Sequence, residues 1–220
     1  MPTAHPVLWF MGLSAAGKST LSATLEARLR ELGWPVARLD ADELRQGLNQ
    51  GLGYTEADRL ENIRRAAHVA RLLAQHATVL AAFITPYAEM RQLVRTILPE
   101  AVLIYVKCPV EECMRRDPKG LYQRALSGSL NTFTGISDTF EEPEDADLVV
   151  DTSELSVSEA VDAVVRHCQE VARLPEPLPS RLTYELPAEV WERLEAIRER
   201  EGHASVTDYL VEAADGLARR

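Results

Sequence analysis

The stretch of sequence with the most specific chemistry lies near the start of the chain and reads Gly-Leu-Ser-Ala-Ala-Gly-Lys-Ser-Thr. It matches the pattern G-x-x-x-x-G-K-[ST], in which glycines let backbone N–H groups surround phosphate oxygens at the start of a helix. Lys18 is then expected to reach the β- and γ-phosphates, and the Ser19 hydroxyl to ligate Mg²⁺. A coincidental glycine turn is the alternative, but an apolar stretch before the loop and a helical pattern after it argue against that. The sequence predicts a nucleoside triphosphate site in this phosphate loop, at Gly12, Leu13, Ser14, Ala15, Ala16, Gly17, Lys18, Ser19 and Thr20.

Two carboxylates, Asp40 and Asp42, follow the second apolar stretch of the chain. A carboxylate at the end of a strand beside a phosphate loop is placed to orient an acceptor hydroxyl or a metal-bound water. Asp42 is the better candidate for this role. The alternative is that both residues only cap the next helix, since aspartate is a frequent N-cap residue.

Basic side chains are concentrated in the next helical segment, at Arg59, Arg64 and Arg65. One interpretation places all three on a solvated helix face, which is the usual place for such charges. Arg59 and Asn62 are three residues apart and share a face, so they can present a guanidinium and an amide to the same anion. The sequence therefore leaves a solvated face and an anion site open as alternatives for this helix.

Seven motifs occur in one order along the chain and together resemble a known family. They are the phosphate loop, D-x-D-x-x-R, L-G-[FY], D-R-x-E-N-x-R-R, F-I-x-P-Y, R-D-P-K-G-L-Y and F-T-G-I. In this combination the chain resembles the adenylylsulfate kinases, which phosphorylate the 3′-hydroxyl of adenosine 5′-phosphosulfate. The resemblance covers residues 6–172 and implies ATP and Mg²⁺ as cofactors.

The resemblance also implies roles for individual residues. Lys18 and Ser19 hold MgATP, Arg116 adds an ATP contact, and Asp42 is the general base or metal-organising carboxylate beside the acceptor hydroxyl. Lys119 belongs to a lid that closes over the phosphates. The resemblance implies three catalytic residues, Lys18, Asp42 and Lys119. Tyr54 and Phe133 sandwich the acceptor adenine. The implied acceptor-binding set is Asp42, Arg45, Tyr54, Arg59, Asn62, Ile84, Thr85, Lys119, Leu121 and Phe133.

The chain departs from the family pattern at five positions near these motifs. Ala41 stands for a glycine, Tyr54 for a phenylalanine, Thr85 for a serine that some members phosphorylate, Asn131 for a lysine and Ser137 for an aspartate. These changes leave open an alternative function, a small-molecule kinase of the same fold with a different acceptor.

The elements that must position these residues follow from the spacing of apolar side chains. Five short, nearly continuous apolar stretches, at 7–11, 36–39, 79–84, 102–106 and 148–150, alternate with helical patterns such as 61–74 and 157–171. Strands of this kind form parallel sheets that helices cover on both faces. The predicted fold class is therefore α/β, a phosphate-loop kinase with a parallel five-stranded sheet and a small C-terminal appendage.

The last forty residues form a separate predicted segment. Residues 173–180 carry proline at every second position from 175 to 179, which favours an extended linker between a kinase-like domain, 1–172, and residues 181–220. Within 181–220 a strand at 181–186, a helix from Ala188 that ends before Gly202, and a second helix at 205–217 are predicted, a pattern that resembles a ribbon-helix-helix module. Such a unit is too small to be stable alone, so it is expected to form a homodimer, and a helical hairpin packed on the kinase core is the alternative.

Composition and charge limit the partners of the protein. The 220 residues carry a net charge of −10, and residues 181–220 hold 6 Arg against 9 Asp plus Glu, which argues against nucleic acid as a partner. A DNA-binding regulator with a nucleotide-sensing core nevertheless stays open as an alternative. No apolar run long enough for a membrane span occurs and three cysteines lack paired spacing, so a cytoplasmic location without membrane contact is expected.

We expect the following basic residues to gather around one pocket: Lys18, Arg45, Arg59, Arg64, Arg65, Arg115, Arg116 and Lys119.

Overall fold

The computed structural model describes residues 5–130, 132–171 and 188–202. The chain divides into two compact units, Met1–Leu178 and Pro179–Arg220. The departure noted at Asn131 and the predicted linker, strand and final helix of the C-terminal segment lie outside the described residues.

The first unit is built on five parallel strands. They are β1 Val7–Met11, β2 Val36–Asp40, β3 Thr78–Ala82, β4 Val102–Lys107 and β5 Leu148–Asp151, and their order in the sheet is β2-β3-β1-β4-β5. All five residues of β1 and of β3 are buried, as expected for strands covered on both faces. The five predicted strands and the parallel sheet are confirmed, with ends that differ by one or two residues.

Helices cover the two faces of this sheet and create two apolar cores. The helices of the first unit are α1 Lys18–Glu31, α2 Ala41–Gln46, α3 Glu56–Leu73, α4 Ala88–Ile97, α5 Val110–Arg116, α6 Leu121–Leu126 and α7 Val157–Glu170. One core joins α1 and α7 to Leu8 and Phe10 of β1, and the other joins α3 and α4 to Val7, Trp9 and Met11. Because side chains alternate along β1, the strand before the phosphate loop is anchored in both cores.

The described part of the second unit is helix α8, Ala188–Glu201. The helix ends before Gly202, which has a left-handed φ of +78° and donates its N–H to the Arg198 carbonyl at 2.9 Å. This confirms the predicted helix and its glycine end. None of the helices in the described ranges has the length and apolarity needed to cross a membrane.

Candidate active site

A cavity of about 510 Å³ lies at the carboxyl ends of the strands and brings most of the predicted site residues together. This is the edge of a parallel sheet at which ligands usually bind. The predicted residues that line the cavity are Ser14, Ala15, Gly17, Lys18, Ser19, Thr20, Asp42, Arg45, Tyr54, Arg59, Asn62, Ile84, Thr85, Lys119, Leu121 and Phe133. A single cavity therefore joins the phosphate loop to the predicted acceptor residues.

The backbone of the phosphate loop requires glycine at its first position. Gly12 has a φ of +146°, and a Cβ atom there would lie 2.4 Å from the Val106 carbonyl oxygen of β4. Its N–H donates to the Ile84 carbonyl at 3.1 Å, which fixes the loop against the end of β3. Gly17 precedes α1 with a φ of +102°. The loop is thus positioned by both neighbours of β1 in the sheet.

The Lys18 ammonium is buried and turned towards its own loop. Its Nζ donates to the Gly12 carbonyl at 3.0 Å and to the Leu13 carbonyl at 2.6 Å. Burial is the main cause that lowers its pKa to about 8, because desolvation disfavours the charged form. An anionic phosphate at this position would offset that penalty, so the buried cation is suited to an anionic ligand.

Ser19 and Asp40 form the part of the cavity that could hold a metal ion. The Ser19 hydroxyl donates to Asp40 Oδ2 at 2.7 Å, and Asp40 Oδ1 accepts from the Asp42 N–H at 3.0 Å. A hydroxyl and a carboxylate are the hard oxygen donors that Mg²⁺ prefers, so the residues present fit this ion. Asp40 is the N-cap of α2. The capping alternative is therefore correct for Asp40 but not for Asp42.

Asp42 and Lys119 come together across the mouth of the cavity, although they are far apart in sequence. Lys119 Nζ donates to Asp42 Oδ2, and more than half of each side chain is exposed. This hydrogen bond is the main cause that raises the pKa of Lys119. Lys119 lies in the segment between α5 and α6, so the pair connects that segment to α2 beside the phosphate loop.

Arg59 and Asn62 share the buried face of α3, which excludes a solvated position for these two residues, while the anion contact stays a prediction. Arg59 donates to the Tyr54 carbonyl at 2.9 Å and to Thr134 Oγ1 at 2.7 Å, and its third nitrogen pairs with Asp138 Oδ2 at 3.3 Å. Arg59 and Asn62 are 8% and 5% exposed, respectively. Their burial beside the cavity favours the anion site over a solvated face.

The aromatic candidates lie in different surroundings within the cavity wall. Tyr54 is 57% exposed, and the Arg45 guanidinium lies over its ring at 4.4 Å from the centroid. Phe133 is buried and meets the Tyr122 ring edge-on, with centroids 4.9 Å apart. Both rings line the cavity, but their predicted stacking on an adenine stays a prediction.

The expectation that all the listed basic residues gather around the pocket is wrong for Arg64, Arg65, Arg115 and Arg116. These four do not line the cavity. Arg64 and Arg65 pair with Glu61 at 2.6 and 2.7 Å, and Arg115 pairs with Glu112 at 2.7 Å. Each pair joins residues three or four apart on the outer face of a helix, where neighbouring carboxylates offset the charges.

Four residues predicted to bind ATP lie outside the cavity wall: Gly12, Leu13, Ala16 and Arg116. Gly12 supplies loop backbone, Ala16 is fully buried, and Leu13 lines a separate surface cavity. Arg116 donates to the Thr152 carbonyl at 2.6 Å, and the Thr152 hydroxyl donates to the Ala16 carbonyl at 2.8 Å. Arg116 is thus connected to the phosphate loop through Thr152. An ATP contact by Arg116 stays a prediction.

Trp9 and Tyr122 support the site but were not among the residues predicted for it, and Trp9 does so through the predicted residue Thr85. Thr85 adopts a left-handed φ of +49°, which is rare for a β-branched residue, and its buried hydroxyl accepts from Trp9 Nε1 at 3.0 Å. Tyr122 donates to the Ser14 carbonyl at 3.1 Å and so links the loop to Phe133. Tyr122 lies within the R-D-P-K-G-L-Y motif, so that motif was the available signal. Trp9 sits in an ordinary apolar strand, and nothing in its pattern indicated this contact.

Comparison with known proteins decides the family. The family model described as adenylylsulphate kinase matches residues 4–151, about two thirds of the chain. The chain belongs to the adenylylsulphate kinase family. It is 50% identical over 163 residues to the adenylyl-sulfate kinase of Geotalea uraniireducens, in a match that covers 73% of this chain and 78% of that protein. This confirms the resemblance that the seven motifs indicated.

Solved structures of adenylylsulphate kinases share this fold. The structure of the Mycobacterium tuberculosis APS kinase CysC in complex with AMPPNP and APS is 38% identical, with a TM-score of 0.73, and the match covers 77% of this chain and 99% of that one. A hexameric APS kinase from Thiobacillus denitrificans is 29% identical with a TM-score of 0.60, and the match covers 79% of this chain and 30% of that one. The phosphate-loop kinase fold is therefore shown for this adenylylsulphate kinase family member.

Proposed function

We propose that this chain transfers the γ-phosphoryl group of ATP to the 3′-hydroxyl of adenosine 5′-phosphosulfate. The observation that carries the proposal is the single cavity in which the phosphate loop and the acceptor residues meet at Asp42 and Lys119. The family and the complex of its Mycobacterium tuberculosis relative with AMPPNP and APS support both substrates. The product is 3′-phosphoadenylylsulfate, an activated form of sulfate.

The residues of the cavity divide the work of phosphoryl transfer. Lys18 leaves its loop carbonyls for the β- and γ-phosphate oxygens and neutralises the charge that spreads over them in a loose transition state. The 3′-hydroxyl oxygen attacks the γ-phosphorus while Asp42 accepts the hydroxyl proton, and ADP leaves. Lys119 stays near Asp42 and adds a second cation over the transferred group.

Ser19 and Asp40 would hold Mg²⁺ through their oxygen donors, and the ion would supply positive charge to neutralise the phosphates. Ser19 supplies the hydroxyl ligand, while Asp40 lies at hydrogen-bond distance and keeps that hydroxyl oriented.

The acceptor is held at the opposite end of the cavity. Arg45, Arg59 and Asn62 surround the phosphosulfate, and Ile84 and Leu121 contribute apolar wall. Tyr54 and Phe133 stack on the adenine, a contact worth about 1–3 kcal/mol per base. Closure of the segment around Lys119 excludes water, so that phosphate passes to the sugar hydroxyl and not to solvent.

An acceptor screen with purified protein tests this function. With MgATP the protein should phosphorylate adenosine 5′-phosphosulfate in preference to shikimate, gluconate and other small alcohols. Lys18→Ala should abolish turnover, whereas the matched control Arg64→Ala, which removes a cation outside the cavity, should retain it. Turnover confined to another hydroxyl compound would replace this proposal with a kinase of altered acceptor, which the departures at Ala41, Thr85 and Ser137 allow.

We further propose that residues 181–220 act as a dimerisation segment after a linker at 173–180, with residues 1–172 as the kinase domain. The family match ends at residue 151, and the C-terminal unit carries its own helix α8. Its net charge of −3 favours self-association over DNA binding. A cytoplasmic location is supported by the buried thiols of Cys108 and Cys113, which form no disulfide with any described residue.

A further inference from the structure

Asn49 is a buried amide directly behind a residue of the acceptor site. Its side chain is 1% exposed and does not line the cavity, whereas Asn62, its neighbour, does. Asn49 Nδ2 donates to Asn62 Oδ1 at 2.9 Å. The two amides thus form a pair in which Asn62 lines the cavity and Asn49 lies behind it.

The backbone holds Asn49 in place without help from its side chain. Its N–H donates to the Leu44 carbonyl at 2.8 Å, and its carbonyl accepts from the Leu52 N–H at 3.2 Å, within the turn between α2 and α3. Among the described residues, Asn49 Oδ1 is buried and has no hydrogen-bond partner. Burying an amide oxygen in this way costs free energy of folding. The stability of the turn therefore does not account for an asparagine here.

We infer that Asn49 is a positioning residue that sets the orientation of the Asn62 amide. Because Asn62 Oδ1 accepts from Asn49, the Nδ2 group is the branch of the Asn62 amide that turns away from Asn49. That branch donates to an anionic oxygen of the acceptor. This inference rests on the proposed function, in which the acceptor carries a phosphosulfate.

The orientation matters because the reversed amide would oppose binding. An inverted Asn62 would direct its carbonyl lone pairs at the anion, which replaces a donated hydrogen bond with repulsion. Contacts to Tyr54, Thr134 and Asp138 hold the Arg59 guanidinium in one orientation, so its two remaining N–H donors do not replace the Asn62 donor. Asn49 thereby contributes to acceptor affinity although it does not touch the acceptor.

A double-mutant cycle tests the inference. Asn49→Leu removes the bond to Asn62 at similar volume and should raise the KM for adenosine 5′-phosphosulfate about tenfold, the loss expected for one hydrogen bond to a charged group. The KM for ATP and kcat should stay within about twofold of wild type. In an Asn62→Ala background, Asn49→Leu should have no further effect on the acceptor KM, because Asn49 acts through Asn62.

Two further variants complete the experiment, one as a control and one as a replacement if Asn49→Leu does not fold. Gln50→Leu is the matched control, since it makes a similar change at the next residue, whose side chain is exposed, and it should leave every constant unchanged. If Asn49→Leu does not fold, Asn49→Asp near pH 9 replaces it, where the new carboxylate accepts from Asn62 Nδ2 and should raise the acceptor KM at least as much.

The outcomes separate this inference from the proposed function. An active wild type with an unchanged acceptor KM in Asn49→Leu overturns the inference alone. Additive effects in the double variant also overturn it. So does an Asn49→Leu variant in which kcat falls and the KM for ATP rises as much as the acceptor KM does. A wild type that does not phosphorylate adenosine 5′-phosphosulfate overturns the proposed function, and this inference with it.

Discussion

Lys18 is a buried cation, and its burial links the chemistry of the site to the stability of the fold. In the ligand-free protein its pKa is lowered to about 8, below its ordinary value of 10.5, mainly by desolvation. Between these two pH values the unfolded chain binds more protons at this group than the folded protein does. The contribution of Lys18 to the free energy of unfolding therefore rises as pH increases from about 8 to about 10.5.

This sign gives a prediction for the ligand-free protein. The free energy of unfolding of Lys18→Met, relative to wild type, should be higher near pH 7.5 than near pH 9.5, because the substitution removes a penalty that wild type loses on deprotonation. Chemical denaturation at both pH values measures the difference, and titrating groups that do not interact with Lys18 cancel between the two proteins. A difference that does not change with pH would contradict the assignment.

Asp42 is the residue whose removal should affect the chemical step most selectively. Asp42→Asn keeps the shape of the side chain but cannot accept the proton of the attacking hydroxyl, so kcat should fall about 100-fold or more. Glu43→Gln provides the control, because Glu43 is the next residue on α2, pairs with Arg38 at 3.4 Å and does not line the cavity. Steady-state kinetics with both variants tests the role, and equal losses in the two would rule it out.

At the scale of elements, the phosphate loop is positioned by the packing of α1 onto the sheet. Leu25 of α1 is fully buried in the core that also contains Phe10 of β1 and Val164 of α7. Burial on one side of α1 holds its first turn, and therefore Lys18 and Ser19, at the end of β1. The apolar packing between α1 and the sheet therefore fixes the positions of the Lys18 ammonium and the Ser19 hydroxyl.

A matched pair of leucine substitutions tests this packing. Leu25→Ala should lower the free energy of unfolding by about 2–5 kcal/mol, because it leaves a cavity between α1 and the sheet. Leu72→Ala, on α3 where the side chain is 68% exposed, should change it by less than about 0.5 kcal/mol. Urea denaturation of the two variants gives the comparison. Similar values for both would mean that Leu25 does not support α1.

At the scale of the whole molecule, the two units make different contributions under the proposed function. Removal of residues 179–220 should leave kcat within about twofold of the full chain, because every described residue of the cavity belongs to the first unit. The same truncation should convert a dimer to a monomer, since the proposed dimerisation segment is lost. Light scattering measures the mass. If the full chain and the truncated protein contain the same number of chains per particle, the dimer contact lies elsewhere or does not exist.

The sequence alone determined the features that depend on local pattern. Apolar stretches of three to six residues separated by helical periodicity predicted the five strands, and the phosphate loop and Asp42 lie where their motifs placed them. The helix from Ala188 and its glycine end were also predicted correctly. These features follow from propensity and periodicity, which act between residues that are close along the chain.

The tertiary structure alone decided which charged and polar groups meet. Arg59 and Arg64 lie on the same helix, yet only the first faces the cavity, because their positions on the helix surface differ and one side of α3 packs on the sheet. The Asp42–Lys119 pair joins residues 77 positions apart, and the Asn49–Asn62 pair forms only when α2 and α3 fold together. Such pairings depend on the packing of whole elements, which no local pattern of residues specifies.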